Sequence, residues 1–389
     1  LGTHFIRTAS QAVKIVRKLP VFASEMERAE DIRFPRTSAA SKFAWQTKAV
    51  EAIRLHRKGR DKNQAWFIVN MASTGRGKTL VNAKIMRAIS ADEKSLRYIL
   101  ALGLRTLTLQ TGTEYRERIG LGTDELAVLI GSKAVEKLYD KDTSGKAMNK
   151  DWEVDLAGGD EQQGESAEEL FSGEIVFEDG FSREQMDFLS IFLNGKKNKA
   201  AKKNQALLFR PVLVATIDHL MGATETKRGG HHLLPILRML SSDLVIDEID
   251  DFSPRDLIAI ARLIHLAGML GRSVVISSAT IPPDLAGCLY RAYQDGICCY
   301  NRFFIQPKMV NTAWIDEFRT QTEEMNLSDE NQYNLLHQGF IEKRVRSLRK
   351  EAVHRRAWIV SCQTAKDAST TAEKRDCYYQ VIRQTVERM

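Results

Sequence analysis

FIVNMASTGRGKTL, Phe67 to Leu80, is the stretch on which the reading of the whole chain turns. A short apolar run, Trp66 to Val69, ends in a loop of small residues, and Gly77, Lys78 and Thr79 then open a helix-like segment. Strand, loop and helix in that order are the grammar of a phosphate-binding loop. Successive backbone N–H groups in a tight turn that glycine permits form a concave anion site. The helix that follows points its positive end at the phosphates. Ser73, Thr74, Gly75, Arg76 and Gly77 make the cradle, Lys78 offers a point charge to the β- and γ-phosphates, and the Thr79 hydroxyl takes a place on magnesium. The expected cofactors are ATP and Mg2+. The strict pattern G-x-x-x-x-G-K-[ST] asks for glycine at position 72, where this chain has Ala72.

At 389 residues the chain has room for two or more domains, or for one large core with attachments. A hydrophobic content of 43% is ample for buried cores, and a formal net charge of +7 suits a polyanionic partner. No apolar run approaches a membrane span, and residues 1–25 lack the order of a signal peptide, with Arg7, Lys14, Arg17 and Lys18 scattered through them. The five cysteines are odd in number and show no C-x-x-C pairing, which argues against a zinc site or a disulfide framework and for a reducing, cytoplasmic setting. The chain begins at Leu1 and ends in a helix-like run, and it is read as a piece of something longer.

Outward from the loop, apolar runs at Arg97–Ala101, Leu126–Ile130, Pro211–Ala215, Asp243–Ile246 and Ser273–Ile276 alternate with helical patterns. That alternation predicts a parallel α/β sheet flanked by helices. Asp247 and Glu248 end one of these runs, which suits a carboxylate that holds magnesium and another that accepts a proton from attacking water. Acids at a strand end also suit a helix start, and Asp250, Asp251 and Ser253-Pro254 carry that chemistry too. Upstream, Phe43 and Trp45-Gln46 open a helix to about Lys58, and Gln46 offers donor and acceptor to the edge of adenine. Arg105 and Thr106 suit phosphate oxygens on a nucleic-acid backbone, or else simply begin a helix. Thr216 and Asp218 follow a strand, where ligand-facing residues gather. Residues 151–187 are acidic, with Arg183 as their one basic residue, and read as a solvated insertion. A basic block, Lys196 to Lys203, follows it. Ser10–Leu19 reads as a helix broken by Pro20, within a tail or linker at 1–40. Beyond residue 285 the expectation is helices at 285–294, 332–353 and 377–388 and a strand at Trp358–Ser361.

Four signals occur in order: GRGKT at 75–79, LRTLTLQTG at 104–112, DEID at 247–250 and SAT at 278–280. That order resembles the first RecA-like domain of superfamily 2 helicases, in which Ala at the position of Ala72 is common. FAWQTKAV at 43–50 and VLVATIDHLM at 212–221 resemble the helicase–nuclease of type I CRISPR interference, most closely its type I-F form. The resemblance implies a P-loop NTPase core at 41–284, preceded by the tail of another domain at 1–40 and followed at 285–389 by a connector and a partial second motor domain. It implies a DNA helicase that reels in displaced single-stranded DNA with ATP, loaded by a CRISPR effector complex in antiviral defence, with an inhibitor protein as a further partner. It implies catalytic roles for Lys78, Asp247 and Glu248, magnesium at Thr79 and Asp247, adenine at Gln46, DNA along Arg105, Thr106, Thr216 and Asp218, and coupling of hydrolysis to movement through Ser278 and Thr280. The chain has no His-Asp dipeptide for a nuclease site and no arginine-rich Q-x-x-x-R-x-x-R segment after Thr280, so weak turnover is expected of it alone. An RNA helicase or restriction-type DNA motor, and a docking module for an effector or inhibitor, are the alternative readings.

Overall fold

A computed structural model describes residues 2–30, 32–35, 42–60, 64–130, 199–224, 232–304, 307–329, 331–351 and 370–387. In chain order the elements are α1 (Gly2–Glu25), α2 (Ala44–Arg57), β1 (Ala65–Asn70), α3 (Lys78–Ile89), β2 (Tyr98–Leu102), α4 (Arg105–Ile119), β3 (Leu126–Leu129), α5 (Lys199–Phe209), β4 (Val212–Thr216) and α6 (Asp218–Met221). There follow α7 (Leu233–Ser241), β5 (Asp243–Asp247), α8 (Pro254–Met269), β6 (Val274–Ser277), α9 (Pro283–Phe303), β7 (Val310–Ile315), β8 (Thr320–Met325), α10 (Gln332–Leu348) and α11 (Thr371–Glu387). The acidic stretch 151–187, residues 196–198 of the basic block and the strand expected at Trp358–Ser361 lie outside the described residues.

The strands form one sheet of eight, ordered β3-β4-β2-β5-β6-β1-β7-β8. Every pairing is parallel except β7 with β8. This is the mostly parallel α/β sheet flanked by helices that the sequence implied. Alternation along each strand sorts side chains to two faces. Phe67, Val69, Ile99, Ile246 and Ile276 point into a core closed by α8 and α9, with Ile260, Leu263, Ile264, Leu289 and Tyr293. Trp66, Ile68, Leu100, Val245 and Val275 point the other way, against Ala49 and Ile53 of α2, Val81 and Ile85 of α3 and Tyr115 of α4. Both faces are covered, so the strands read as continuous apolar runs.

Two features hold this arrangement tightly. Helices α8 and α9 cross at Gly268 and Gly296, and a Cβ on Gly296 would meet the carbonyl oxygen of His265 at 2.2 Å. At the other end of the strands lie two buried arginines. Arg238 donates to the carbonyls of Tyr98 (3.0 Å), Pro211 (2.9 Å) and Arg210, and Arg97 to those of Leu208 (2.7 Å), Phe209 (3.1 Å), Ser241 (3.1 Å) and Glu27 (2.9 Å). Burial pushes both guanidinium groups below the usual range, Arg238 to about 9, and in Arg97 the charge of Arg238 adds to it.

Three expectations are corrected. Helix α1 runs through Pro20 instead of ending there. Phe22 near its end and Met26 just after it pack against Leu208 and Leu237, and Ala29 bridges Leu96, so this part of 1–40 is built into the body of the protein. The connector expected from residue 285 onward is different again. Strands β7 and β8 extend the same sheet, and the compact unit continues to Arg344. Val345–Met389 forms a second unit, in which α11 begins at a reciprocal cap: the Glu373 amide donates to Thr370 Oγ1 (3.2 Å) and the Thr370 amide to Glu373 Oε2 (3.0 Å). Among the described residues no helix is long and apolar enough to cross a membrane.

Candidate nucleotide-binding site

Strand register assembles the site. Asn70 of β1 and Asp247 of β5 both pair with Ser277 of β6, so the three strands end level. The phosphate-binding loop, the acidic pair and the Ser-Ala-Thr turn therefore leave from one edge of the sheet, at the carboxyl ends where α/β sheets bind ligands.

The loop has the conformation its sequence calls for. Gly75 (φ 77°) and Gly77 (φ 78°) are left-handed, and α3 begins at Lys78. Asn70 braces the loop's base: its amide donates to Asn82 Oδ1 (2.8 Å), and its oxygen accepts from the Ala72 amide (3.3 Å). Thr74 and Gly75 are exposed, while Ser73, Arg76 and Thr79 are half-buried. Gln46, expected at adenine, is 2% exposed. It donates to the carbonyls of Gly77 (3.1 Å) and Arg76 (3.3 Å) and accepts from Lys84 Nζ (2.9 Å). Both ends of its amide are engaged, so here Gln46 braces the loop and presents no free edge to a base.

Lys78 is buried, and its Nζ lies 3.2 Å from Glu248 Oε1. Glu248 holds a left-handed backbone (φ 50°), which is uncommon for a residue other than glycine and concentrates at functional positions. Asp247 is 3% exposed. Burial pushes its carboxyl up to about 6, with Glu248 acting in the same direction and Lys78 against it. A short 3-10 turn, Ile249–Asp251, follows Glu248 directly, and the Glu248 side chain does not cap it. The side-chain-capped helix start in this stretch lies farther on, where Ser253 and Asp256 form a capping box on α8.

Ser278 and Thr280 converge on Asp250. The Ser278 hydroxyl donates to Asp250 Oδ1, and the Thr280 hydroxyl to Oδ2 at 2.6 Å. Burial pushes the Asp250 carboxyl up, but these hydrogen bonds outweigh it and hold the group below its ordinary value. DEID and SAT are thus physically joined through the last residue of the first motif, a role that sequence reading missed.

Among the residues expected at nucleic acid, Arg105 and Thr106 begin α4, and Thr106 is exposed. Asp218 is also exposed, at the start of α6. The two turns lie side by side, because Leu102 pairs with Thr216 and the Ile217 amide donates to the Leu102 carbonyl (3.0 Å). Thr216 itself is 1% exposed on an interior strand, so its side chain is not at the surface.

For a divalent ion, no cluster of three or more His, Cys, Asp or Glu exists among the described residues. Thr79 and Asp247 fit magnesium only in the manner usual for nucleotide sites, with phosphates and water completing the shell.

A further part of the site comes from β7 and β8. Strand β7 pairs with β1 so that Ile315 lies beside Asn70, and the Met71 amide donates to the Ile315 carbonyl (2.8 Å). The turn after β7, Asp316 to Arg319, is thereby set against the start of the phosphate-binding loop. It is folded by Asp316 Oδ1, which accepts from the amides of Phe318 and Arg319, each at 2.7 Å. Glu317 on this turn and Arg344 on α10 both touch Ser73. No sequence motif marked either residue.

No protein-family model matches the chain. It is 36% identical over 375 residues to the CRISPR-associated nuclease/helicase Cas3 subtype I-F/YPEST of Pseudomonas aeruginosa (strain UCBPP-PA14), a match that covers 95% of this chain and 32% of that protein. It is 38% identical over 355 residues to the protein of the same description in Pectobacterium atrosepticum, covering 90% of this chain and 31% of that one. The chain thus spans about a third of the length of these curated relatives. Among solved structures, the crystal structure of T. fusca Cas3-ATP aligns with 80% of this chain and 30% of its own, at 20% identity and a TM-score of 0.44. By its sequence, nearly the whole of this chain is similar to a part of the subtype I-F Cas3 nuclease/helicases.

Proposed function

We propose that this chain is the ATP-binding part of a helicase–nuclease of type I-F CRISPR interference, and that it draws single-stranded DNA with energy from ATP. The observation that carries the reading is the convergence of Lys78 with Glu248 and Asp247, from two strands, beside a left-handed glycine loop. Lys78 is paired with Glu248. A triphosphate would take Lys78 for itself and free Glu248 to accept a proton from water. Thr79 and Asp247 would hold magnesium, which supplies neutralisation of phosphate charge when bound. The loop amides from Thr74 to Thr79 would orient the phosphates, and Gln46 would keep the loop in shape beneath them.

The Asp250 link to Ser278 and Thr280 supports a coupling role, since a shift of the acidic motif would be felt at the SAT turn. Arg105, Thr106 and Asp218 would lie along a nucleic-acid backbone, a reading that the neighbouring starts of α4 and α6 support. The surveillance complex of CRISPR interference is the proposed effector partner, with an inhibitor protein as another. Residues beyond Arg344 would lead toward further motor parts.

The test is DNA-stimulated ATP hydrolysis by the full-length protein. Lys78→Ala is expected to reduce it by about a hundredfold or more, the scale on which transition-state charge stabilisation acts. Retained activity refutes the assignment. Stimulation by RNA alone would instead favour an RNA helicase, because recognition of the 2′-hydroxyl is what separates the two polymers.

A further inference from the structure

We propose that Glu317 and Arg344 are positioning residues for the phosphate-binding loop: they clasp Ser73 and so set the affinity of the loop for nucleotide. The inference rests on the ATP-site reading above and adds residues that no motif marks.

The contacts are specific. The Ser73 amide donates to Glu317 Oε2 at 3.2 Å, and the Ser73 hydroxyl donates to Oε1. Arg344 Nη1 donates to Glu317 Oε2 at 2.8 Å, and Nη2 to Ser73 Oγ at 3.2 Å. Arg344 also lies 3.7 Å from Asp316. The Glu317 and Arg344 side chains are only 4% and 6% exposed. Burial pushes the Glu317 carboxyl up, yet the hydrogen bonds from Ser73 and Arg344 outweigh it and keep the group below its ordinary value. Glu317 is therefore an anion.

An anion beside an anion-binding loop is a cost unless it is matched. The far half of the loop is held by α3 and by Gln46. The near half, Ser73 to Gly75, has an exposed tip and is fixed at Ser73 by this clasp. Fixing it before nucleotide arrives keeps the loop amides aligned, and preorganised donors bind charge more tightly than donors that must first be ordered. Glu317 supplies the grip, and Arg344 supplies the opposite charge that makes a gripping carboxylate tolerable next to a triphosphate. The planar guanidinium spans Glu317 and Ser73 together, a bridge that an ammonium point charge makes less well.

The pair makes an ordered prediction. Arg344→Met leaves Glu317 ionised without its partner, and affinity for nucleotide falls. Removing the charge as well, in Glu317→Gln/Arg344→Met, restores part of it. A role limited to stability would lower the melting midpoint and leave affinity and KM untouched.

The experiment measures binding of mant-ATP with magnesium to the full-length protein, alongside KM and kcat for ATP. For Arg344→Met the dissociation constant and KM are expected to rise about tenfold, with kcat within about threefold, as for one uncompensated charge near a partly screened site. The double variant is expected to return to within about threefold of wild type, and Arg344→Lys to fall between. If Arg344→Met does not fold, Ser73→Ala, which removes the hydroxyl that both residues touch, is expected to weaken binding about threefold. Binding that Lys78→Ala abolishes but that a folded Arg344→Met, or in its place Ser73→Ala, leaves at the wild-type value overturns the clasp alone. Wild-type protein that does not bind mant-ATP overturns the ATP-site reading, and the clasp with it.

Discussion

Replacing Gly296 with alanine adds one methyl group where α8 and α9 touch, and the structure sets what that costs. The new carbon would lie 2.2 Å from the carbonyl oxygen of His265, 2.9 Å from the Met269 nitrogen and 3.0 Å from the Gly268 Cα. All three are backbone atoms of the facing helix, so no side chain can swing away. Relief requires the helices to part by about 1 Å, and a gap of that size forfeits a quarter to a half of each contact across it. Tyr293 and Ile297 sit in that interface fully buried. Overpacking of this kind costs about 1–3 kcal/mol and more where backbone must move. Alanine recovers about 1 kcal/mol through its better helix propensity. The expected net loss is about 2 kcal/mol, a fall of about 4–8 °C in the melting midpoint for a unit of this size. The control is the same substitution at Gly339 in α10, where an added carbon meets nothing within 4 Å. Gly339→Ala is expected to raise the midpoint, by up to about 1 kcal/mol of stability. The assay is thermal and urea denaturation of both variants beside wild type. A Gly296→Ala protein as stable as wild type would refute the reasoning. Because α8 follows DEID and α9 follows SAT, the same variant should also loosen the Asp250–Thr280 link. Faster amide exchange at Thr280 would register that.

Arg238→Leu removes a buried donor shared by the carbonyls of Tyr98, Pro211 and Arg210, and a loss of about 2–4 kcal/mol in urea denaturation is expected, as when a buried hydrogen-bond network is broken; a change under about 0.5 kcal/mol would count against the staple. Asp250→Ala is expected to leave mant-ATP affinity within about threefold while nucleic-acid-stimulated turnover falls about tenfold or more, a split that marks loss of transition-state coupling and not of binding. Equal losses in both would argue that Asp250 only holds the fold. His337 is buried and stacked on Tyr333, and desolvation pushes its imidazole down to about 4. Since its folded value lies below the unfolded one, the unfolded chain binds the extra proton between about pH 6.5 and 4, and stability falls as pH drops through that window. His337→Phe, which keeps the stacked ring, should shrink the gap in melting midpoint between pH 7.5 and pH 5; an unchanged gap would show that other groups set it.

What sequence could disclose follows the distance over which each feature is determined. The phosphate-binding loop is local, and glycine, lysine and threonine in a row require no partner to be recognised. The apolar runs were legible as strands because both faces of the sheet are covered. Strand β7, VNTAWI, was not, because Asn311 and Thr312 interrupt its apolar pattern although both are fully buried. Strand β8, TQTEEM, is a polar edge with no apolar run at all. With those strands unseen, Glu317 and Arg344 had no address. Thr216 misled for a related reason. A strand end gathers ligand-facing residues in general, but only the pairing on both sides of β4 shows that this side chain is enclosed. Gln46 lies against the glycine loop, as its place in the sequence suggests, yet only coordinates show that its amide is already engaged with Gly77 and Lys84. Pro20 sits inside α1, where sequence alone would end the helix.

The strand order has a consequence for how the chain is made. Among the described strands, β1, β2 and β3 are not neighbours of one another: β1 lies between β6 and β7, β2 between β4 and β5, and β3 against β4. During synthesis the phosphate-binding strand therefore emerges with no partner strand in existence, and so do the next two. The first pairing becomes possible only when Val212–Thr216 leaves the ribosome, and β1 waits longer still, for Val274–Ser277. At about 5–20 residues per second, the delay for β1 is about 10–40 s. Through that interval an apolar strand, Ala65–Asn70, stands with both edges open. A nascent chain of this order exposes an unpaired apolar strand for that interval, and the candidate nucleotide site is among the last places on the sheet to be completed.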